Sequence, residues 1–355
     1  MIKRKKILFT LPNLLGGGAE RVMVNIINQL DNKYFDITLL LINRRGALNT
    51  SIVNKVNIID LNISRTRYSL FLIIKTIRKI NPCIIFSTTH RMNILILLAS
   101  FFIKRKIKIF IREPNMPSLL IKNSKLTKVQ LSMIKFLYKF SYKIVAQTDE
   151  MKEDIINSYS MSKSKVITFY NPIDCNFIKE SIKNSKNPFD RTKINIVSSG
   201  RIIDQKAYDI LIRSFEIVVK NDPNYRLYIL GEDVVGLKKE LLKLVKKSKL
   251  ENFVLFKGFI DNPYIYYNYS DLFVLSSRWE GLPNVIIENL YLEKPIIATN
   301  CIKYLSRLIN NGKNGFIVPV DDYKKLADKI LNYKIIKPRN TYIQSDINSL
   351  FNKDS

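Results

Sequence analysis

Residues 272–288 read Leu272-Phe273-Val274-Leu275-Ser276-Ser277-Arg278-Trp279-Glu280-Gly281-Leu282-Pro283-Asn284-Val285-Ile286-Ile287-Glu288. The first four are a short, uninterrupted apolar run, the pattern of a strand buried on both faces. Gly281 and Pro283 interrupt the chain. A helix is then predicted to open around Leu282 to Val285 and to run on through Leu292, stopping before Pro295. Strand, glycine-containing turn and helix make the unit from which an open α/β sheet builds a ligand site at the carboxyl ends of its strands. Glu280 stands in the turn and Glu288 in the helix, with the first backbone N–H groups of the helix between them.

The same alternation extends outward in both directions. Buried strands are expected at Ile7–Thr10, Phe35–Ile42, Val56–Leu61, Cys83–Ser87, Lys108–Glu113, Lys143–Gln147 and Val166–Tyr170. Helices are expected after Arg21, with Val22, Val24, Ile26, Ile27 and Leu30 as its apolar residues, at Leu70–Ile80, at Asn93–Ile103 and at Lys125–Phe140. Ser181 to Pro188 is polar and ends in a proline, the composition of a linker. A second series follows: strands at Ile194–Ser198, Arg226–Leu230, Val254–Phe256, Leu272–Leu275, Pro295–Thr299 and Gly315–Pro319, with helices at Tyr208–Val219, Leu237–Lys247 and Tyr323–Leu331. The expected architecture is therefore α/β with two Rossmann-like, doubly wound domains facing across a cleft. The first spans residues 1–180, a linker 181–193, the second 194–333. The tail, 334–355, is read as a segment crossing back to the first domain, with Ile343–Phe351 its only helix candidate. A length of 355 residues suits two cores better than one.

Composition narrows the partners. A net charge of +28 points to nucleic acid, an anionic membrane surface or a phosphorylated substrate. The charge is spread along the chain, and no zinc-finger spacing or RRM-type aromatic signature accompanies it, so no nucleic acid is expected. Cys83, Cys175 and Cys301 are far apart and form no CxxC, which suits a reducing compartment. With His90 as the single histidine, a His/Cys metal site is excluded. The opening residues lack the apolar length of a signal peptide, and the longest apolar run, Ile94–Ile103, is about half of what a membrane helix needs. A cytoplasmic protein is expected, either soluble or peripheral at the inner face of the membrane.

Five features of the second half fit one ligand. Gly200-Arg201 ends a strand, Lys206 follows, Glu280 sits in the Gly281 turn, the N–H groups of Leu282, Asn284 and Val285 open a helix, and Glu288 lies inside it. Two cations and a positive helix end suit a diphosphate. Carboxylates would repel phosphate, so Glu280 and Glu288 are assigned to ribose and hexose hydroxyls. Diphosphate, ribose and sugar together describe a nucleotide sugar. In the first half, Gly16-Gly17-Gly18 between strand and helix is neither GxGxxG nor a Walker A loop. It is open to two readings, an anion cradle at a helix N-terminus or a tight turn with no ligand.

The set of Gly200-Arg201, Lys206, Glu280 and Glu288 ahead of Pro295-Ile296-Ile297-Ala298-Thr299, then Asn311-Gly312-Lys313-Asn314-Gly315, resembles the retaining family 4 glycosyltransferases of the GT-B fold. Gly17-Gly18-Ala19-Glu20-Arg21 and Tyr170-Asn171-Pro172-Ile173-Asp174 match the same family. The likeness runs from Ile7 to Leu331 and is closest to bacterial enzymes of surface-polysaccharide and lipid-linked oligosaccharide synthesis. It implies that Arg201 and Lys206 hold the donor diphosphate and that Glu288 takes the ribose. Glu280 would contact the donor sugar, making Arg201, Lys206 and Glu280 the catalytic set. It further implies that Gly17 lets a loop approach the phosphates and that the backbone at Phe259 and Ile260 holds the base. Neither metal nor cofactor is implied: cations and helix dipole stabilise the leaving group. Transfer would proceed with retention and without a protein nucleophile, from a UDP-hexose or UDP-N-acetylhexosamine to a lipid-linked or oligosaccharide acceptor. A GT-B sugar-nucleotide epimerase and a non-catalytic nucleotide-sugar-binding partner of another transferase are the alternatives.

The chain departs from the family at three places. Ala207 stands where a glycine usually follows the lysine. The loop Ile111-Arg112-Glu113-Pro114-Asn115 lacks the histidine many members carry, and Lys303–Arg307 replaces a common Gly-Pro-Glu. Acceptor-side candidates are Gly18, His90, Glu113 and Asn115, His90 being read more readily as an ordinary loop histidine. Lys125–Phe140 reads as a basic amphipathic helix whose apolar residues, Leu126, Val129, Met133, Phe136, Leu137 and Phe140, are expected mainly in the core; its lysines suit an anionic membrane surface.

Overall fold

The computed structural model describes residues 4–46, 48, 52, 55–64, 68–122, 126–336, 338 and 351. Two compact units divide the chain: Met1–Asp174 with Gln344–Ser355, and Cys175–Ile343.

The first unit carries strands β1 (Lys5–Leu11), β2 (Phe35–Leu41), β3 (Asn57–Asp60), β4 (Ile84–Thr88), β5 (Lys108–Arg112), β6 (Lys143–Ala146) and β7 (Val166–Thr168). They form one sheet in the order β3-β2-β1-β4-β5-β6-β7, every pair parallel. The central strands are apolar almost throughout because helices cover both faces: Ile7, Leu8 and Phe9 of β1 and Ile85 and Phe86 of β4 have no exposed surface. The order reverses between β1 and β4, which places a crevice at their carboxyl ends. Helices run Gly18–Gln29, Leu70–Ile80, His90–Ser100, Pro117–Lys122, Lys128–Leu137 and Asp149–Tyr159.

The second unit carries β8 (Ile194–Ser199), β9 (Tyr225–Leu230), β10 (Val254–Gly258), β11 (Leu272–Leu275), β12 (Ile296–Thr299) and β13 (Gly315–Val318). The sheet order is β10-β9-β8-β11-β12-β13, again wholly parallel, with its reversal between β8 and β11. Its longest helix is Tyr208–Asn221; Lys238–Lys247, Asn284–Tyr291 and Tyr323–Leu331 are the other helices that expectation covered. Both units are thus Rossmann-like, as the alternation of the sequence predicts.

Three expectations shift. The first unit ends at Asp174, not at residue 180, because Cys175–Ile182 folds as a helix whose Phe177 ring packs edge-on against Tyr264 of the second unit's own Pro263–Tyr269 helix, centroids 6.1 Å apart. The basic helix starts at Lys128, where Thr127 and Gln130 form a capping box, and its last turn, Tyr138–Phe140, is 3-10; Lys125 lies outside the described residues. Its apolar residues are not all core: Leu126 and Leu137 are buried, whereas Val129, Phe136 and Phe140 are exposed. The helix expected at Ile343–Phe351 lies outside the described residues except for Phe351. That ring is buried in the first unit's core, within 5.6–6.3 Å of the rings of Phe9, Phe35, Phe86 and Phe110. Among the described residues no helix is long and apolar enough to cross a membrane.

Candidate active site

The crevice of the second sheet is built from the segments that leave β8 and β11, the neighbouring strands at its reversal point. β8 runs into Gly200, at φ 155°. A side chain there would meet Lys206, whose Cε would lie 2.5 Å from the added Cβ, so the glycine is what lets the lysine fold back over the strand end. A single 3-10 turn, Asp204–Lys206, carries that lysine. Ala207 follows at φ 48°, ψ 46°, the left-handed conformation that glycine adopts at no cost and that a Cβ makes unfavourable by about 1 kcal/mol. The alanine therefore keeps the backbone shape that a glycine would give here. The helix Tyr208–Asn221 starts from it, with Tyr208 Oη donating to Gly200 O at 2.9 Å.

β11 runs into Ser276 and Ser277. Ser276 Oγ donates to Lys206 O at 2.8 Å, and Ser277 Oγ donates to Glu280 Oε1 at 2.7 Å. Lys206 Nζ lies 2.6 Å from the same Oε1, with the lysine and glutamate side chains 15% and 10% exposed. Gln205 Nε2 donates to Trp279 O at 2.9 Å and to Glu280 Oε2 at 3.3 Å. The lysine and the carboxylate that the sequence assigns to different parts of one ligand are thus in direct contact. Cys301, just past β12, is close enough that burial, and then the Glu280 charge, push its thiol up to about 12. It is a neutral wall of the site.

Beyond Glu280 the turn is buried: Gly281, Leu282 and Asn284 have little exposed surface, and Pro283 caps the Asn284–Tyr291 helix without a side-chain bond. Glu288 is 2% exposed and accepts from Tyr264 Oη at 3.4 Å. Arg201 and Phe259 are exposed, and Ile260 and Val285 are outside the core. Lys206, Glu280 and Gly200 are brought together. Arg201 stays on the surface beside them in sequence.

One residue of the site was not singled out by motif. Arg278 Nη1 lies 2.9 Å from Asp204 Oδ1, Nη2 2.8 Å from Asp209 Oδ2, and Nε 2.9 Å from Asp321 Oδ1. Its backbone N–H donates to Gln205 O at 2.8 Å. One guanidinium therefore ties the Lys206 segment to the Glu280 turn and to the loop after β13. Its planar fork suits three carboxylates in a way a lysine cannot, and these partners raise its pKa against the opposing effect of burial. The spacing signal was present only as three scattered aspartates.

In the first unit the acceptor-side candidates separate. Gly17 caps the Gly18–Gln29 helix and Gly18 is its first residue; a Cβ on Gly17 would run into the Glu20 carboxylate. His90 opens the His90–Ser100 helix, following Thr89, whose φ 73°, ψ 136° is far outside the usual range of a β-branched residue. The imidazole is half-buried, its Nε2 has no hydrogen-bond partner among the described residues, and burial lowers its pKa. Asn115 is half-buried. Glu113 is fully buried. It accepts from Tyr138 Oη and from Asn93 Nδ2, the latter at 3.3 Å, and burial pushes its carboxyl up to about 7. Arg112, also buried, donates to Asn171 Oδ1 at 2.6 Å, and Asn171 Nδ2 donates to Gln147 Oε1 at 2.7 Å. Gln147 Nε2 returns to Glu113 O at 3.0 Å. These bonds join the carboxyl ends of β5, β6 and β7. Asn93, Tyr138 and Gln147 are members that no motif announced.

Two family models match the chain: "Glycosyltransferase Family 4" over residues 16–177 and "Glycosyl transferases group 1" over residues 179–344. The capsular polysaccharide biosynthesis glycosyltransferase CapM of Staphylococcus aureus is 30% identical over 74% of this chain and 70% of its own length. The N-acetylgalactosamine-N,N'-diacetylbacillosaminyl-diphospho-undecaprenol 4-alpha-N-acetylgalactosaminyltransferase of Campylobacter jejuni is 29% identical over 87% of this chain and 85% of its own length. Among solved structures, Anabaena HepE in complex with UDP and glucose superposes with a TM-score of 0.77 at 20% identity, covering 94% of this chain and 90% of that one.

Proposed function

The chain belongs to the glycosyltransferase family those two models describe, and from that premise we propose that it moves a hexosyl or N-acetylhexosaminyl group from a UDP-sugar, with retention, to a lipid-linked or saccharide acceptor in the synthesis of a bacterial surface polysaccharide. The observation that carries the reading is the Lys206–Glu280 pair at 2.6 Å over Gly200, at the reversal point of a parallel sheet. Lys206 and the start of the Asn284–Tyr291 helix present positive charge where a diphosphate is to be held, with Arg201 beside them in sequence. Glu280 and the buried Glu288 present acceptors for sugar and ribose hydroxyls. The names of CapM and of the Campylobacter enzyme support a surface-polysaccharide or undecaprenol-linked acceptor; the UDP bound by HepE supports the nucleotide.

In the reaction the bond between the sugar C1 and the diphosphate oxygen breaks, and a bond from C1 to the acceptor oxygen forms on the same face. The acceptor proton passes to the departing diphosphate. Lys206 and Arg201 stabilise the charge that develops there, and no metal or cofactor is called on. A melting screen with UDP-, GDP- and ADP-sugars tests the donor. A ligand at about 100 times its Kd stabilises the protein by about 2.7 kcal/mol, and the UDP-sugars should give the largest shift. Equal failure of all three nucleotide classes would remove the donor reading. The anomeric configuration of the product, read by NMR, separates retention from inversion, and a converted but untransferred sugar would favour an epimerase.

A further inference from the structure

Three phenylalanine rings stack in the open on the first unit. Phe101 and Phe140 lie 5.0 Å apart centroid to centroid, Phe136 and Phe140 5.4 Å, each pair edge to face. Their exposures are 52%, 60% and 50% for Phe101, Phe136 and Phe140, and the adjacent Phe102 is 56% exposed. A contiguous aromatic surface on the outside of a domain marks a contact with something else, since isolated exposed apolar residues need no explanation but a cluster does. Position in the fold says where it faces. Phe101 and Phe102 lie between the His90–Ser100 helix and β5, and Phe140 lies just before β6. In a parallel sheet the helix-to-strand connections gather at the amino edge, opposite the crevice. The five residues of β5 put that edge roughly 17 Å from the carboxyl edge.

Charge decides what covers it. Between Asp60 and Asp149 the sequence has one acidic residue, Glu113, against seventeen Lys and Arg, and Glu113 is buried in the interior. Lys104, Arg105, Lys106 and Lys139, which flank the rings in sequence, are all exposed. The loop is held in place: Arg78 Nη2 donates to Phe102 O at 2.8 Å and Arg105 Nη1 to Asn81 Oδ1 at 2.9 Å. A second copy meeting this face about a two-fold axis would set the same cations against each other. An anionic bilayer meets both parts at once, its headgroups taking the cations and its interface taking the rings.

We propose that the amino edge of the first sheet, through Phe101, Phe102, Phe136 and Phe140 with Lys104–Lys106 and Lys139, docks the protein on an anionic membrane surface. This rests on the lipid-side part of the reading above, not on the donor site. Docking at that edge leaves the crevice at the carboxyl edge clear of the bilayer contact, so binding to membrane and binding to ligand are separable.

The test is flotation of the full chain with phosphatidylcholine vesicles, with and without phosphatidylglycerol. The protein should float with the anionic vesicles only, and less as salt is raised. The double substitution Phe136→Ser with Phe140→Ser should lower partitioning roughly tenfold or more. Replacing Lys104, Lys106 and Lys139 by Gln should lower it about fivefold per charge removed. Both variants should melt as the parent does and keep its UDP-sugar shift, which separates docking from the donor reading: a parent chain that floats but shows no UDP-sugar shift would overturn only the latter. Equal flotation with neutral vesicles, or undiminished flotation of the serine variant, overturns the docking face. So does a lipid-free dimer in sedimentation velocity that the serine substitutions dissolve, since the face would then join two copies.

Discussion

Glu280→Gln should raise affinity for UDP while lowering turnover, two effects of opposite sign from one oxygen-to-nitrogen change. In the structure Lys206 Nζ is 2.6 Å from Glu280 Oε1 and both side chains are mostly buried. A charge-assisted bond of that kind is worth about 1.5–3 kcal/mol. A diphosphate that recruits Lys206 must give up part of it. The substituted amide would keep its place, because Ser277 Oγ can still donate to the amide oxygen where it now donates to Oε1 at 2.7 Å, but it would no longer hold the lysine by charge. If the diphosphate recovers about 1.4 kcal/mol of the released interaction, UDP binds about tenfold tighter. A hydroxyl of the donor sugar, by contrast, loses a charged acceptor for a neutral one, so turnover should fall by roughly tenfold or more. Titration calorimetry with UDP and with the UDP-sugar, beside steady-state rates, reads both. UDP affinity that is unchanged or weaker in the variant would refute the competition between carboxylate and diphosphate. Unchanged turnover would remove Glu280 from the sugar.

Arg278→Ala should destabilise the second unit by about 1–2 kcal/mol, the sum expected of three partly exposed ion pairs at ~0.2–1 kcal/mol each. It should also weaken UDP binding, because the Lys206 segment loses its tie to the Glu280 turn. Arg278→Lys, which keeps the charge but not the fork, should fall between; urea midpoints and calorimetry decide, and a lysine variant equal to the parent would show that the fork is not needed. Glu113 gives a pH dependence. Its carboxyl is raised from 4.5 to about 7 by burial, so the folded chain binds the proton more tightly than the unfolded one. Stability is then fully present below about pH 4.5 and is lost as pH rises through 7, by about 3 kcal/mol in all. Urea unfolding of the parent at pH 5 to 8 should show that slope and Glu113→Gln should flatten it; a parallel slope in the variant would place the titrating group elsewhere.

Most of the fold was legible because buried parallel strands leave near-continuous apolar runs. Ile7–Thr10, Phe35–Ile42 and Lys108–Glu113 fall on β1, β2 and β5 within a residue or two, and Leu70–Ile80 and Tyr323–Leu331 are helices at those bounds. Among the elements that were missed, Pro117–Lys122, Cys175–Ile182 and Pro263–Tyr269 are short, at six to eight residues, and the long one has a polar surface. Asp149–Tyr159 buries only Met151, Ile155 and Tyr159, a narrow stripe in a charged run, although Thr148 capping Met151 N is a start signal that could have been read. Thr127 and Gln130 likewise announced the start of the basic helix. Exposure was not legible at all: Phe136 and Leu137 are neighbours of similar apolarity, and only the helix's rotation puts one in water and the other in the core.

The site shows the same boundary between pattern and packing. Gly200, Lys206, Glu280 and Glu288 could each be named from spacing, and Ala207 adopts the left-handed backbone that its glycine-like position demanded. What spacing could not give is that Lys206 and Glu280 touch. Reading them as separate contacts to phosphate and to sugar treats the site as a set of fixed charges awaiting a ligand. Two largely buried charges left apart would each carry a desolvation cost that their pairing offsets, so the folded chain brings them together. If the chain takes the donor proposed above, its binding is an exchange, in which the diphosphate replaces a carboxylate at the lysine and sugar hydroxyls replace a lysine at the carboxylate. An exchange of this kind favours a ligand that supplies both replacements at once. A bare inorganic diphosphate satisfies Lys206 and strands Glu280; a neutral sugar does the reverse. On the proposed reading the pair would select for the intact nucleotide sugar, with Arg278, which ties the two segments, holding them in the register that makes the exchange concerted.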